Sequence, residues 1–129
     1  MTHTEIAWAN ERAIIADMLI NLLTNVRLTY LPDLEPADAY ELLLTGAHVL
    51  IAQLGSQLAT AAEISRVIGR PRDVVIHRLN ELIERGYAER RGNRYIMTTK
   101  LNVPNLQRHM RSNISIIQAA AKQLGVAHP

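Results

Sequence analysis

The sequence predicts a mainly helical fold with one small β-hairpin, and long helices at both ends of the chain. Two observations carry that expectation: helix start and stop signals that recur along the 129 residues, and two short basic segments of extended character around Gly92-Asn93. A third is the amount of apolar surface on the terminal helices, which exceeds what one small core can cover.

The first helix is expected from near Thr4 to near Tyr30, with Thr2 and Glu5 as a capping box and Pro32 and Pro36 as breakers. Ile15, Met18, Leu19, Leu22 and Val26 form one stripe along it, while Ile14, Ile20, Leu23 and Leu28 lie off that stripe. A helix apolar on most of its circumference is buried on most of it. Either it is the central helix of a monomer, or its second face meets another copy of the chain across a two-fold axis. A second helix is expected from Pro36 to Gly55, with Leu43, Ala47, Leu50, Ile51 and Leu54 on its core face. Thr60-Ala-Ala-Glu63 is another capping box, followed by Ile64, Val67 and Ile68 at helical spacing and a break at Gly69. Pro71 suits the start of the next helix, where its missing N–H costs nothing. That helix carries Val75, Leu79, Leu82 and Ile83 inward and ends at Gly86. Residues 87–91 and 94–98 then flank Gly92-Asn93 as a hairpin. The last helix is expected from near Pro104, with Leu106, Met110, Ile114, Ile117, Ala121 and Leu124 on one stripe and Gly125 as its terminator.

Two short helices, a tight turn and a basic hairpin, in that order, are the pattern of a winged helix-turn-helix. The expected organisation is a single domain over 1–129. Residues 36–98 form the winged helix-turn-helix, and 1–31 and 103–125 are dimerisation helices. Charge supports this. Residues 1–60 hold two basic side chains against seven carboxylates, a net −5, whereas 66–94 hold eight arginines against four carboxylates, a net +4. All eight are Arg, whose planar fork matches phosphate and guanine edges better than a lysine point charge does.

Composition excludes several classes. There is no Cys, hence no disulfide scaffold, Cys zinc site or thiol sensor. The first residues have no basic n-region, and the apolar run from Ala13 to Leu23 is broken by Asp17 and Asn21. It falls short of the ~20 residues that span a bilayer. A cytoplasmic protein without a membrane partner is the expectation. His3, His48, His77, His109 and His128 are scattered and read as packed or solvent-facing side chains, not metal ligands. No phosphate loop, nucleophile elbow or paired-carboxylate site is present, so neither an enzyme nor a cofactor is expected.

The segment Gly69-Arg-Pro-Arg-Asp-Val-Val-Ile-His-Arg-Leu-Asn-Glu-Leu-Ile-Glu-Arg-Gly86-Tyr resembles the recognition helix of bacterial winged-helix regulators, above all the MarR type. The short tip Arg91-Gly-Asn-Arg94 is also similar to IclR-type DNA-binding domains. The resemblance implies a dimeric repressor on double-stranded DNA, with residues 71–85 in the major groove and the wing, 88–98, on the backbone or minor groove. It also makes a small-molecule effector a candidate partner.

With Val75, Leu79 and Leu82 inward, Arg72, Asp73, Val74, His77 and Arg78 are expected outward as base or phosphate readers. Either Arg72 or Arg78 is placed to fork onto guanine, and Asp73 to cap its helix or accept from cytosine. Arg66 and Arg70 suit phosphates, and Arg91, Asn93 and Arg94 suit the wing. Because fold alone does not determine function, an alternative remains: a winged-helix adaptor that binds protein and not DNA. Such an adaptor would show exposed apolar residues where this chain has arginines.

Overall fold

The computed structural model describes residues 3–98 and 103–127, which form five helices and three strands. The order is α1 (His3–Tyr30), α2 (Pro36–Leu54), β1 (Ala59–Thr60), α3 (Ala61–Ile68), α4 (Arg72–Glu84), β2 (Ala88–Arg91), β3 (Arg94–Met97) and α5 (Leu106–Ala127). The chain divides into two compact units, one of residues 1–32 with 103–129 and one of residues 33–102. The expected cap at Thr2 lies outside the described residues. No helix among the described residues is long and apolar enough to cross a membrane.

The first unit is an antiparallel hairpin of α1 and α5. One end of its seam is polar. Asn25 Nδ2 donates to Ser112 Oγ (2.9 Å) and Asn113 Oδ1 (3.1 Å), and His109 lies 2.9 Å from Thr29 Oγ1 through Nδ1 and 3.0 Å from Asn113 Nδ2 through Nε2. An amide nitrogen only donates, so Nε2 accepts, and the neutral ring carries its proton on Nδ1, toward Thr29. The Tyr30 ring meets the imidazole edge-on at 5.1 Å. The seam buries His109 and Ala120 and half-buries Ile14, Met18, Leu22 and Ile116. Ile15, Leu19, Ile20, Leu23, Met110, Ile114 and Ile117 remain exposed, Ile20 to 64%. Gly125 does not stop α5, which runs on to Ala127. A glycine inside a helix costs about 1 kcal/mol relative to alanine but does not break it unless the backbone turns left-handed.

The second unit places α2, α3 and α4 against a three-stranded antiparallel sheet of order β1-β3-β2. Its core holds Val49, Ala59, Ala61, Ile64, Val75, Leu79 and Tyr95, with Ile76, Ile83 and Met97 packed on it. The sequence pattern places only a hairpin here. The additional β1 has two residues, Ala59 and Thr60, opposite Tyr95 and Arg94, too few to show an alternation. The Gln53 side chain closes the open end of β3, accepting from Met97 N–H (2.8 Å) and donating to Met97 O (3.4 Å).

The core face of α2 differs from the expected one. Ala39, Leu42, Thr45, Gly46 and Val49 are buried, whereas Ala47, Leu50, Ile51 and Leu54 are exposed, Leu54 to 79%. The helix is apolar around most of its girth, so the 3.6-residue period does not select a face. The face that is buried is the one that meets α4 and the sheet, where Gly46 packs against Met97 and Leu82.

Burial lowers the His109 pKa from its usual 6.5. Its neutral form therefore contributes stability that is complete above the unfolded-state pKa and is lost as pH falls through the folded-state value. Urea midpoints measured from pH 8 to pH 5 should decline more steeply for the native chain than for His109→Gln. Parallel declines would show that the ring is not the titrating group.

Candidate nucleic-acid interface

Three glycines in left-handed conformation set the frame. Thr60 Oγ1 accepts from Glu63 N–H (3.2 Å) and starts α3, and Gly69 at φ 70° ends it. Ser65 Oγ donates to Arg70 O (2.6 Å) and holds the turn, after which α4 begins at Arg72 with Pro71 as its N-cap residue. Gly86 at φ 80° turns the chain into the hairpin, and Gly92 at φ 65° reverses it at the tip.

Within this frame α4 presents three sides. Val75, Leu79 and Leu82 are buried. Asp73, His77, Asn80 and Glu84, at spacings of four, three and four, form its fully exposed stripe. Asp73 lies in the first turn, where its charge faces the positive end of the helix dipole, and no side-chain hydrogen bond caps the helix. Val74 is half-buried.

The expectation that Arg78 projects outward as a base reader does not hold. Its side chain is 16% exposed and lies on α2, donating through Nε to Glu41 Oε1 (3.2 Å) and through Nη2 to Asp38 Oδ1 (3.1 Å), with Glu81 at 3.6 Å. Burial alone would lower its pKa, but the hydrogen bonds and charges of Glu41 and Asp38 outweigh that and hold it above the ordinary arginine value. Arg70 leans on the same Glu41 at 3.5 Å. Arg85 makes a bidentate pair with Asp33 (3.0 and 2.8 Å), its Nε 3.9 Å from Glu81. That double hydrogen bond raises the Arg85 pKa and holds the Asp33 carboxyl below its usual value. The acidic residues of α2 and its approach thus neutralise part of the arginine set.

The other arginines differ among themselves. Arg66 and Arg72 are exposed and form no ion pair among the described residues. In the hairpin Arg91 pairs with Arg94 across the tip and Arg90 with Tyr95. Successive side chains on a strand alternate, so Arg90 shares the inner face with Ala88, Tyr95 and Met97, and Arg91 and Arg94 share the outer one. Arg91 lies 4.0 Å from Glu89, and Arg94 donates to Leu58 O and lies 3.8 Å from Glu63. Asn93 is exposed at the tip.

The structure therefore brings Arg72 and Asn93 together, sets His77 and Asp73 on the open stripe, and withdraws Arg78. Sequence reasoning missed Asn80, which completes the stripe, and Arg90, which joins Arg72. The hairpin register was the signal for Arg90: a two-residue tip at Gly92-Asn93 sends residue 90 to the same side as Tyr95. Among the described residues no group of three His, Asp or Glu is placed to hold a metal ion. In the first unit a cavity of about 450 Å³ is lined by Asn25, Thr29, Arg108, His109 and Ser112, whose Asn, Thr, His and Ser groups mostly bond to one another.

The two kinds of arginine should separate in stability measurements. Arg78→Ala removes the cation shared by Glu41 and the exposed Asp38, with Arg70 still on Glu41, and should cost about 1 kcal/mol in urea unfolding. Arg72→Ala should stay within about 0.5 kcal/mol, as exposed substitutions do. Equal losses would contradict the division.

No family model, curated protein or solved structure matches this chain.

Proposed function

We propose that this chain is a dimeric, sequence-specific regulator of transcription that binds double-stranded DNA in the cytoplasm. In this reading the unit from α2 to β3 is a winged helix-turn-helix of MarR-like layout. The observation that carries it is the sorting of the arginines: Arg70, Arg78 and Arg85 are neutralised by carboxylates of α2 and its approach, whereas Arg66, Arg72 and Arg90 form no ion pair among the described residues. Helix α4 enters the major groove with Asp73, His77 and Asn80 toward the base edges. Asn matches adenine and Asp accepts from cytosine, so these residues read sequence. Arg66, Arg91 and Arg94 meet phosphates, which fix register without reading it.

The helix hairpin supports the dimer. Part of its inner seam is polar, while Ile15, Leu19, Leu23, Met110, Ile114 and Ile117 face outward. Rows of exposed apolar side chains at helical spacing on both helices are what an interface needs. A second copy of the same hairpin completes a four-helix bundle and presents two reading heads to two half-sites. An adaptor function draws on a different observation, the exposed Leu44, Ile51 and Leu54 of α2 and Val67 of α3.

Titration of a fluorescent random duplex pool across salt should give binding at low salt. The slope of log affinity against log salt should correspond to at least about three phosphates neutralised per head, with release of their counterions. Absence of binding at low salt contradicts the regulator and leaves the adaptor. Sedimentation should give twice the 14.5 kDa chain mass at micromolar concentration. Leu19→Glu should shift it toward the monomer and weaken DNA binding by about 100-fold or more, the lower bound for linked sites. A native monomer contradicts the dimer.

A further inference from the structure

A cleft of about 200 Å³ opens where the start of α3, the start of α4 and the inner face of the hairpin meet, lined by Thr60, Arg72, Ile76, Arg90, Asn93 and Tyr95. No carboxylate lines it. Arg72 has no hydrogen bond or ion pair among the described residues. Arg90 is anchored only through Nε, which donates to Gly92 O at 2.7 Å, leaving its two terminal nitrogens without a partner among them. The Tyr95 ring is buried to 4% exposure and forms the apolar floor of the cleft with Ile76. Two guanidinium groups on one small concavity repel each other, and an anion held between them reverses the sign of that interaction. The geometry matches a tetrahedral anion better than a base edge. Arg72 stands on the flank of α4 in line with Ile76, off the stripe of Asp73, His77 and Asn80.

We propose that this cleft seats one phosphodiester of duplex DNA, gripped by Arg72, Arg90 and the Asn93 amide, so that Arg72 positions the duplex and does not read it. The proposal rests on the DNA-binding function above. It assigns Arg90 a role and moves Arg72 from guanine recognition to backbone contact. A shared phosphate has a distinctive consequence. Each phosphate neutralised contributes about 0.9 to the salt slope on B-form DNA, so two arginines on one phosphate contribute about one unit together and not two.

The test uses the full chain with a duplex selected from a random pool and a scrambled control, for the native protein, Arg72→Ala, Arg90→Ala and the double variant. Each single variant should weaken both duplexes by the same factor, about tenfold, the order expected for a hydrogen bond between charged groups. The double variant should lower the salt slope by about one unit in total. Methylphosphonate substitution, scanned along the duplex, should find one position at which native and double-variant affinities become equal. Inorganic phosphate should compete no better than chloride at equal ionic strength. The proposal is overturned if Arg72→Ala relaxes preference for the selected duplex, or if the double variant loses two slope units. It is also overturned if no methylphosphonate position equalises the two proteins, or if phosphate competes specifically, which would make the cleft a site for the free anion. In all of these results the native protein still binds DNA, so the regulator function stands. Failure of the native protein to bind any duplex would remove both.

Discussion

The contact between α4 and α2 decides which residues of α4 are available. Val75 and Leu79 are fully buried there and in the adjoining core, and Leu42, Val49 and Leu82 nearly or fully so. Burial of each such side chain is worth about 1.5–3 kcal/mol, against about 0–1 kcal/mol for an exposed ion pair. The apolar row therefore fixes the rotation of α4, and the ion pairs follow from it. Once Leu79 points inward, Arg78 is carried to the flank facing Glu41 and Asp38, and Asp73, His77 and Asn80 are left on the open side. The Cβ of Arg78 could not be moved to the open stripe without turning Val75 and Leu79 toward water.

That rotation separates the arginines into two populations with different chemistry. Arg70, Arg78 and Arg85 answer Glu41, Asp38 and Asp33, and their charge ends within the unit. Arg66, Arg72, Arg90 and Arg91 keep theirs at the surface. Residue count alone gives the segment a net +4 and places all eight arginines on equal terms. Geometry shows a smaller basic surface bordering the α4 stripe, which bears two carboxylates of its own. Such a surface makes the proposed recognition depend on amide, imidazole and carboxylate groups for specificity, with arginine reserved for position.

Much of the second unit was legible in the sequence, because its boundaries are set by local chemistry. The Thr60 hydroxyl caps α3, and Gly69, Gly86 and Gly92 occupy positive φ where the chain must turn. Long-range selection was not legible. The face of α2 is decided by the elements that pack on it, α4 and β3, and β1 pairs with β3 across long sequence separation. Apart from Glu81, a neighbour at helical spacing, the partners of Arg78 and Arg85 lie 37 to 52 residues away, beyond any periodicity argument. In the candidate site, Asp73 and His77 followed from helical spacing. Asn80 was legible by the same spacing and Arg90 by strand alternation, and neither was drawn from it. In the hairpin of α1 and α5 the apolar stripe from Met110 to Ile117 was legible, but the polar seam opposite it was not, since Thr29, Asn25, His109 and Asn113 acquire meaning only when the helices are set side by side.

In the proposed function, open and neutralised arginines divide the surface into a side that meets DNA and a side that does not. Arginine side-chain N–H resonances report on each guanidinium separately. With isotope-labelled protein and a bound duplex, the Nε–H signals of Arg66, Arg72, Arg90 and Arg91 should shift and sharpen, together with the backbone amides of Asp73, His77 and Asn80. Those of Arg78 and Arg85 should stay where they are in the free protein. Shifts concentrated on Arg78 and Arg85, or on the exposed apolar residues of α2 with the open arginines silent, would contradict the account.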